Sequence, residues 1–258
     1  MTTIAEGRRA RRERARGDFA PYHRWDHNFF LCMVALIWFV ILMGFVPAIW
    51  THVVKHKPPY PIAVHIHAAA MVAWLTLLTT QVLLIRARRT DLHRKLGVIG
   101  ICLACLIPFL GVTAAIVVDR AQMATPHPDP AFFSIQVLDM IGFAGAAAAA
   151  ILMRGEPAAH KRLILLATLA CVDAGFARWM GGTLTRILGD GFWPSMAELY
   201  LGNIILIMGI GVYDLVTRRR LHPAYVGGSA WVLGCLFLAG WLYVTPAWAP
   251  VAAHLIGR

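Results

Sequence analysis

The side chains that could do chemistry in this chain are ionisable and amide groups lodged inside long apolar runs. Asp139 and Asp173 lie in two such runs, and Arg178 follows Asp173 five positions later. An aspartate at mid-helix in lipid costs about 2.5–3.5 kcal/mol on insertion scales, so it is retained where it meets a partner or a cavity. His67 and Asn203 occupy two further runs. At ~1.5 Å per residue from the outer face, Asp139 is expected ~12 Å deep, Asp173 ~11 Å, and His67 and Asn203 ~8 Å, with Arg178 shallower. On this count Asp173 stands about seven residues before the outer end of its helix. Hydrocarbon offers no partners, so these groups must satisfy one another.

Three chemistries fit such a cluster. Arg178 could neutralise one aspartate while the rest hydrogen-bond across helices, which is structural. The acidic pair could relay protons or bind a substrate, with Asp139, Asp173 and Arg178 as the acting groups. Imidazole with carboxylates also suits iron, zinc or copper, and His65, His67, Asp139 and Asp173 are the metal-ligating set. His67, Trp74 and Gln81 recur every seventh position and share a helix face, whereas His65 is two residues from His67 and points away. Gln136 shares a face with Asp139. Gln81, Gln136 and Asn203 are therefore the accessory polar residues.

A second group lies at the opposite face. DLHRKLG, AAHKRLIL and RLHPAYVG each place a histidine shortly before a new apolar run: His93, His160 and His222. They are the residues for a cofactor at the inner boundary, although histidine beside Arg and Lys also suits the headgroup region for no reason but charge. Haem b needs two histidines at equal depth on facing helices. Outer companions for His65 or His67 would be His52 and His56, at the end of the first run, and the inner trio sits beside arginines. Neither matches a deep bis-histidine pair well, so the cofactor stays open between a transition metal and haem b.

Long helices must position these groups. Of the residues, 59% are apolar and the mean hydropathy is +0.65, against roughly 45–50% apolar in soluble domains. Seven runs, at 29–50, 62–85, 96–118, 131–153, 163–180, 199–216 and 226–244, are each long enough to approach the span of about 30 Å of hydrocarbon. The first is too long for a signal-peptide core and has no small-residue cleavage site, despite the double arginine before it. All five cysteines fall within these runs and suggest no disulfide framework, and Cys102 and Cys105 read as small packing residues. The run GFAGAAAAAI favours close packing and a central fourth helix, and Gly209 and Gly211 could serve the same end in the sixth.

The net charge of +11 might point to nucleic acid. Its distribution excludes that reading, because the basic residues outside the N-terminal tail sit mostly in short connections between runs. Assigning the N-terminus and the loops RARRTDLHRK, RGEPAAHKR and TRRRLHP to one side gives that side 18 of the 24 Lys and Arg residues. The positive-inside rule then places the N-terminus in the cytoplasm and the C-terminus outside. Residues 1–28, with Arg8, Arg9, Arg11, Arg12, Arg14 and Arg16, are expected to form a basic disordered cytoplasmic tail, 29–246 the membrane domain, and 247–258 a short outer tail.

DLHRKLGVIG and AAHKRLILLATLACVDAGFARW resemble a family of uncharacterised bacterial multi-pass membrane proteins with an HR-x-LG inner loop and a later HKR helix. The resemblance covers roughly 62–180 and points to His93, Arg94, Gly97, His160, Arg162 and Arg178. It implies no established reaction, and its outline is remotely similar to that of b-type membrane cytochromes. The expected fold is an all-α polytopic membrane bundle of seven transmembrane helices, one leading helix followed by three helical hairpins, in a bacterial inner membrane. The reading of function leans to a metal- or haem-binding redox protein with its polar site in the outer half of the bilayer. The alternatives are a proton-coupled small-molecule transporter or binding protein, and a structural or assembly subunit of a membrane complex. The partners implied are the lipid bilayer and a small-molecule or quinone-like ligand; self-association into a homo-oligomer is left open.

Overall fold

A computed structural model describes residues 19–257 of the chain. The arginine run expected to form the disordered tail lies outside the described residues. Ten α-helices follow in order: α1 Asp26–Val54, α2 Ile62–Arg86, α3 Thr90–Gln122, α4 Phe133–Leu152, α5 Pro157–Leu169, α6 Asp173–Phe176, α7 Gly182–Leu188, α8 Phe192–Arg218, α9 Pro223–Tyr243 and α10 Trp248–Ile256. A 3-10 turn, Pro130–Phe132, leads into α4, and a π-helical turn, Ala177–Gly181, joins α6 to α7. Among the described residues there is no strand.

Seven helical runs are long and apolar enough to cross a membrane, and they correspond one to one with the seven apolar runs of the sequence. The fifth, Pro157–Leu188, is a composite of α5, α6, the π turn and α7. It starts earlier and ends later than the expected 163–180, which puts Asp173 near its middle rather than close to its outer end. The outward faces carry bare large apolar side chains, among them Phe109 at 74% and Leu152 at 80% exposure. Such a surface is stable against hydrocarbon and not against water. Cys102 and Cys105 belong to this outer face and not to the packed interior.

Helix α4 is the hub, packed against α3, α5 and α9. Its small residues make that possible. Ala146, Ala147 and Ala150 are buried, Gly142 lets Ala170 and Cys235 come within van der Waals range, and Trp231 lies over Gly145 while its Nε1–H donates to the Gly142 carbonyl at 3.2 Å. Without a hydrophobic drive inside lipid, such close backbone approach and cross-helix hydrogen bonds hold the helices together. Others are Trp38 Nε1–H to Thr79 Oγ1 at 2.9 Å, Trp74 Nε1–H to Thr168 Oγ1 at 3.1 Å, and Ser134 Oγ–H to the Ala239 carbonyl at 3.0 Å. Helix α1 crosses the bundle at its tightest point, where Gly44 meets Gly175: a Cβ on Gly44 would lie 2.1 Å from the Gly175 carbonyl oxygen. The segment expected as a loose outer tail instead forms α10, whose Ala252 and Ile256 pack on Ala115 and Phe133.

Candidate functional site

The fifth run loses its α-helical ladder halfway along. Ala170, Cys171 and Val172 donate to Ala167, Thr168 and Leu169 in tight 3-10 fashion, and when the helix resumes Gly175 and Phe176 both donate to Val172. The carbonyls of Ala170 and Cys171 are thereby passed over. No proline causes this break; the unwound stretch LACV is wholly apolar and wholly buried. The Leu169 carbonyl, which the Val172 N–H reaches only at 3.4 Å, takes a shorter second bond from α8, where Asn203 Nδ2 donates to it at 2.7 Å.

Asp173 starts α6 immediately after the break, and its carboxyl group neighbours that of Asp139 on α4. Both are buried, at 4% and 6% exposure. Carboxylate oxygens only accept, so contact between two carboxyls requires a proton on one of them or a cation between them; two bare anions in low dielectric repel. Asn203 and Tyr200, i and i+3 on α8, flank the pair on one face and are fully buried. Asp139 Oδ1, Asp173 Oδ1, Asn203 Oδ1 and Tyr200 Oη have no hydrogen-bond partner. Orphaned buried oxygens are rare enough in native proteins to require a cause. The thiol of Cys171 points at the Asp139 carbonyl from 4.0 Å, a weak contact.

The expected pairing of Asp139 with Asp173 and Asn203 is thus realised, but four other expected members stand apart. Arg178 lies on the outside of the bundle, over the Phe45 ring at 4.6 Å, and donates to the Ala174 carbonyl; among the described residues no ion pair links it to an aspartate. The π turn rotates it away from the direction a regular helix would have given. His67 does face inward with Trp74, yet it abuts Gly111 of α3 beside Met140, one residue round α4 from Asp139. His65 is exposed near Tyr60. Gln136 turns to Asp119 of α3, with Nε2–H 3.4 Å from Oδ1, and not to Asp139. Among the described residues no three His, Cys, Asp or Glu side chains converge as a metal would require, so the set His65, His67, Asp139 and Asp173 is not assembled. Helix α3 also runs further than its apolar stretch suggests, so Asp119, which reads as a loop residue, is buried at 3% exposure.

The inner trio divides. The His93 and His160 rings stand 6.4 Å apart and perpendicular. His160 Nδ1–H donates to the Ala150 carbonyl at 2.8 Å, because a carbonyl can only accept, and this leaves its Nε2 with a free lone pair. Gln81 Nε2 donates to the His93 carbonyl at 3.1 Å, while Gln81 Oε1 and His93 Nδ1 are buried without partners. His222 is elsewhere. It caps the N-terminus of α9, its Nδ1 accepting the Ala224 N–H at 3.0 Å, with Pro223 at the first helical position. Burial, with Arg162 beside it, lowers the imidazole's proton affinity below its ordinary value, which suits an acceptor.

Sequence reasoning reads Asp214 as easily paired beside TRRR but misses the ionic network it belongs to, built where α1 and α5 begin and α8 ends. Arg162 and Asp214, both with no exposed surface, pair side by side: Arg162 Nε donates to Asp214 Oδ2 at 2.8 Å and Nη1 to the Ala158 carbonyl at 2.7 Å. Asp26 accepts from Lys161 Nζ at 2.7 Å, Arg218 Nη2 at 2.8 Å and Tyr213 Oη at 2.5 Å. The chain before α1 lies across this network, with Lys161 and Arg218 donating to the Pro21 and Ala20 carbonyls and Phe19 edge-on to His222. A lone aspartate heading an apolar run, and HKR heading another, were the available signals.

Among the described residues, seven apolar spans packed around an apolar core that encloses a few polar groups define an integral, polytopic helical membrane protein. No protein-family model, curated protein or solved structure compared with the chain matches it.

Proposed function

We propose that this protein is a membrane carrier that couples movement of a small solute to protons held by Asp139 and Asp173. The observation that carries this reading is the carboxyl pair itself, buried beside a helix break with, among the described residues, no cationic side chain in ion-pair range. Broken helices at the bilayer midplane are where carriers bind ions, and intramembrane acids are where they bind protons. Infrared difference spectra of the purified protein across a pH titration test it. A protonated-carboxyl band that titrates, and that disappears in Asp139→Asn and in Asp173→Asn, is expected. Asp173→Asn should also abolish proton uptake driven by solute in reconstituted vesicles while expression is kept. A purely structural pair predicts the opposite: an almost silent or stabilising change, since a buried charge is removed. A band that is the same in wild type and both variants sinks the carrier reading.

The orientation that goes with this reading is N-terminus in the cytoplasm and C-terminus outside, in a bacterial inner membrane, motivated by the 18 of 24 basic residues on one side. A C-terminal reporter active only in the cytoplasm would overturn it. The same reading keeps the chain beside the multi-pass family that its HR-x-LG and HKR motifs resemble.

A second reading, a redox protein, is favoured by one observation only, the His93–His160 pair. His160 has its Nδ1–H tied to a backbone carbonyl, as metal-ligating histidines usually do. A metal ion held by the two imidazoles and Gln81 Oε1 fits these residues. For haem b no such support exists beyond the two rings, since two grooves of the bundle, along α2–α3 and α3–α4, contain no histidine. Stoichiometric metal in the purified protein, lost in the double variant His93→Gln/His160→Gln and kept in His222→Gln, is the result this reading requires.

A further inference from the structure

We infer that the oxygen cluster around Asp139 and Asp173 is a binding site for a monovalent, sodium-sized cation that replaces the shared proton one for one. The inference rests on the carrier reading of the same pair and names its coupling ion. Four side-chain oxygens of these neighbouring residues are buried without a hydrogen-bond partner: Asp139 Oδ1, Asp173 Oδ1, Asn203 Oδ1 and Tyr200 Oη. The first two come from facing helices, and the last two from one face of α8. Two main-chain oxygens, those of Ala170 and Cys171, are freed by the break directly before Asp173 in the fifth run.

The donor set selects the ion. It is all oxygen, because His67 is turned to Gly111 and the nearest thiol contact is directed at the Asp139 backbone. Carboxylate, amide, hydroxyl and carbonyl oxygens suit hard cations and not copper, zinc or iron. Magnesium keeps several of its waters and calcium wants six to eight oxygens. Here the buried donors number six at most, which only reaches the bottom of calcium's range. Charge points the same way. The pair is built to hold one positive charge between two carboxyls, and exchanging a proton for a monovalent ion leaves the charge of the core unchanged, whereas a divalent ion alters it in low dielectric. The Asn203 amide nitrogen donates to the Leu169 carbonyl, while its oxygen has no hydrogen-bond partner.

The test is thermal unfolding of the full-length protein in detergent, in sodium chloride against choline chloride at equal ionic strength, with potassium and calcium chloride as comparisons. Sodium should raise the melting temperature saturably, as a ligand of the folded state does. On the acid side of the pair's titration the sodium concentration giving half the effect should rise about tenfold per pH unit, the mark of one-for-one competition with a proton. Tyr200→Phe, which deletes one oxygen, should weaken sodium at least several-fold, and Asp173→Asn should remove the effect. Equal melting temperatures in sodium and choline, a larger effect from calcium, or a sodium effect that survives Asp173→Asn would each overturn the inference. The wild-type comparison decides the matter even if a variant does not fold. Infrared spectra of the same samples separate the two ideas. A carboxyl band that titrates but ignores sodium keeps the proton carrier and discards the cation site, whereas the absence of a titrating band discards both.

Discussion

Arg162→Met is expected to destabilise the protein by about 3–5 kcal/mol, the range for breaking a fully buried ion pair by removing one partner. Arg162 and Asp214 have no exposed surface, and the aspartate's remaining contact is the His222 N–H at 3.3 Å. An unpaired carboxylate would be stranded in the core, and the Ala158 carbonyl would lose its donor as well. The double variant Arg162→Met/Asp214→Leu is expected to recover most of the loss, or to exceed the wild type, because the desolvation of both charges disappears with them. Unfolding in denaturing detergent measures both, and a double variant no better than the worse single one would show that the pair does more than neutralise itself. The neighbouring Asp26 network supplies the contrast. Asp26 keeps two cations and a tyrosine, so loss of Lys161 alone should cost far less than loss of Arg162.

The second large effect is at the crossing of α1 and α6. Gly44→Ala would put a Cβ 2.1 Å from the Gly175 carbonyl oxygen and 2.8 Å from its Cα, and main chain cannot swing aside as a flexible side chain can. The helices must separate, which puts the cost at about 3 kcal/mol, the upper part of the usual range for overpacking. Gly209→Ala is the control. Nothing lies within 4 Å of its added methyl, and alanine favours helix by about 1 kcal/mol over glycine. Because Gly175 is two residues from Asp173, Gly44→Ala should also shift the carboxyl band of the acidic pair, and Gly209→Ala should not. Melting temperatures and infrared spectra of the two variants, taken side by side, check this.

These outcomes bear on which parts of the molecule a reader of the chain can see. The seven spans are legible because hydrocarbon imposes a length and a composition on each, and GFAGAAAAAI announces a crowded helix by its lack of bulk. The depth of Asp139, Asp173 and Asn203 made their meeting predictable, since apolar surroundings leave buried polar groups few alternatives. The break at residues 170–172 is not legible. LACV contains no proline or glycine, and the stretch is unwound by what surrounds it, Asn203 capturing the Leu169 carbonyl from another helix. The π turn that swings Arg178 outward is equally silent, which is why the arginine was expected inside. Gly209 and Gly211 look alike in sequence, yet one faces open space and the other the Tyr225 hydroxyl. Asp119 and Gln136 each look solitary until α3 proves longer than its apolar stretch.

The fastening of Asp26 has a consequence for how the chain is assembled. Its partners Lys161 and Arg218 lie 135 and 192 positions further along. A chain threaded into the bilayer from its N-terminus therefore places its first span long before those partners have been synthesised. Until then the carboxylate waits at the boundary, where water still reaches it, and α1 has no anchor at that end. Contacts of such long sequence separation close late, because the intervening loop must be ordered before they form. Only the arrival of the sixth span supplies Arg218 and Tyr213, so the first helix to enter is among the last to be locked. A nascent chain halted before that point holds Asp26 by Lys161 alone, and emergence of the sixth span is itself the step that completes the clasp.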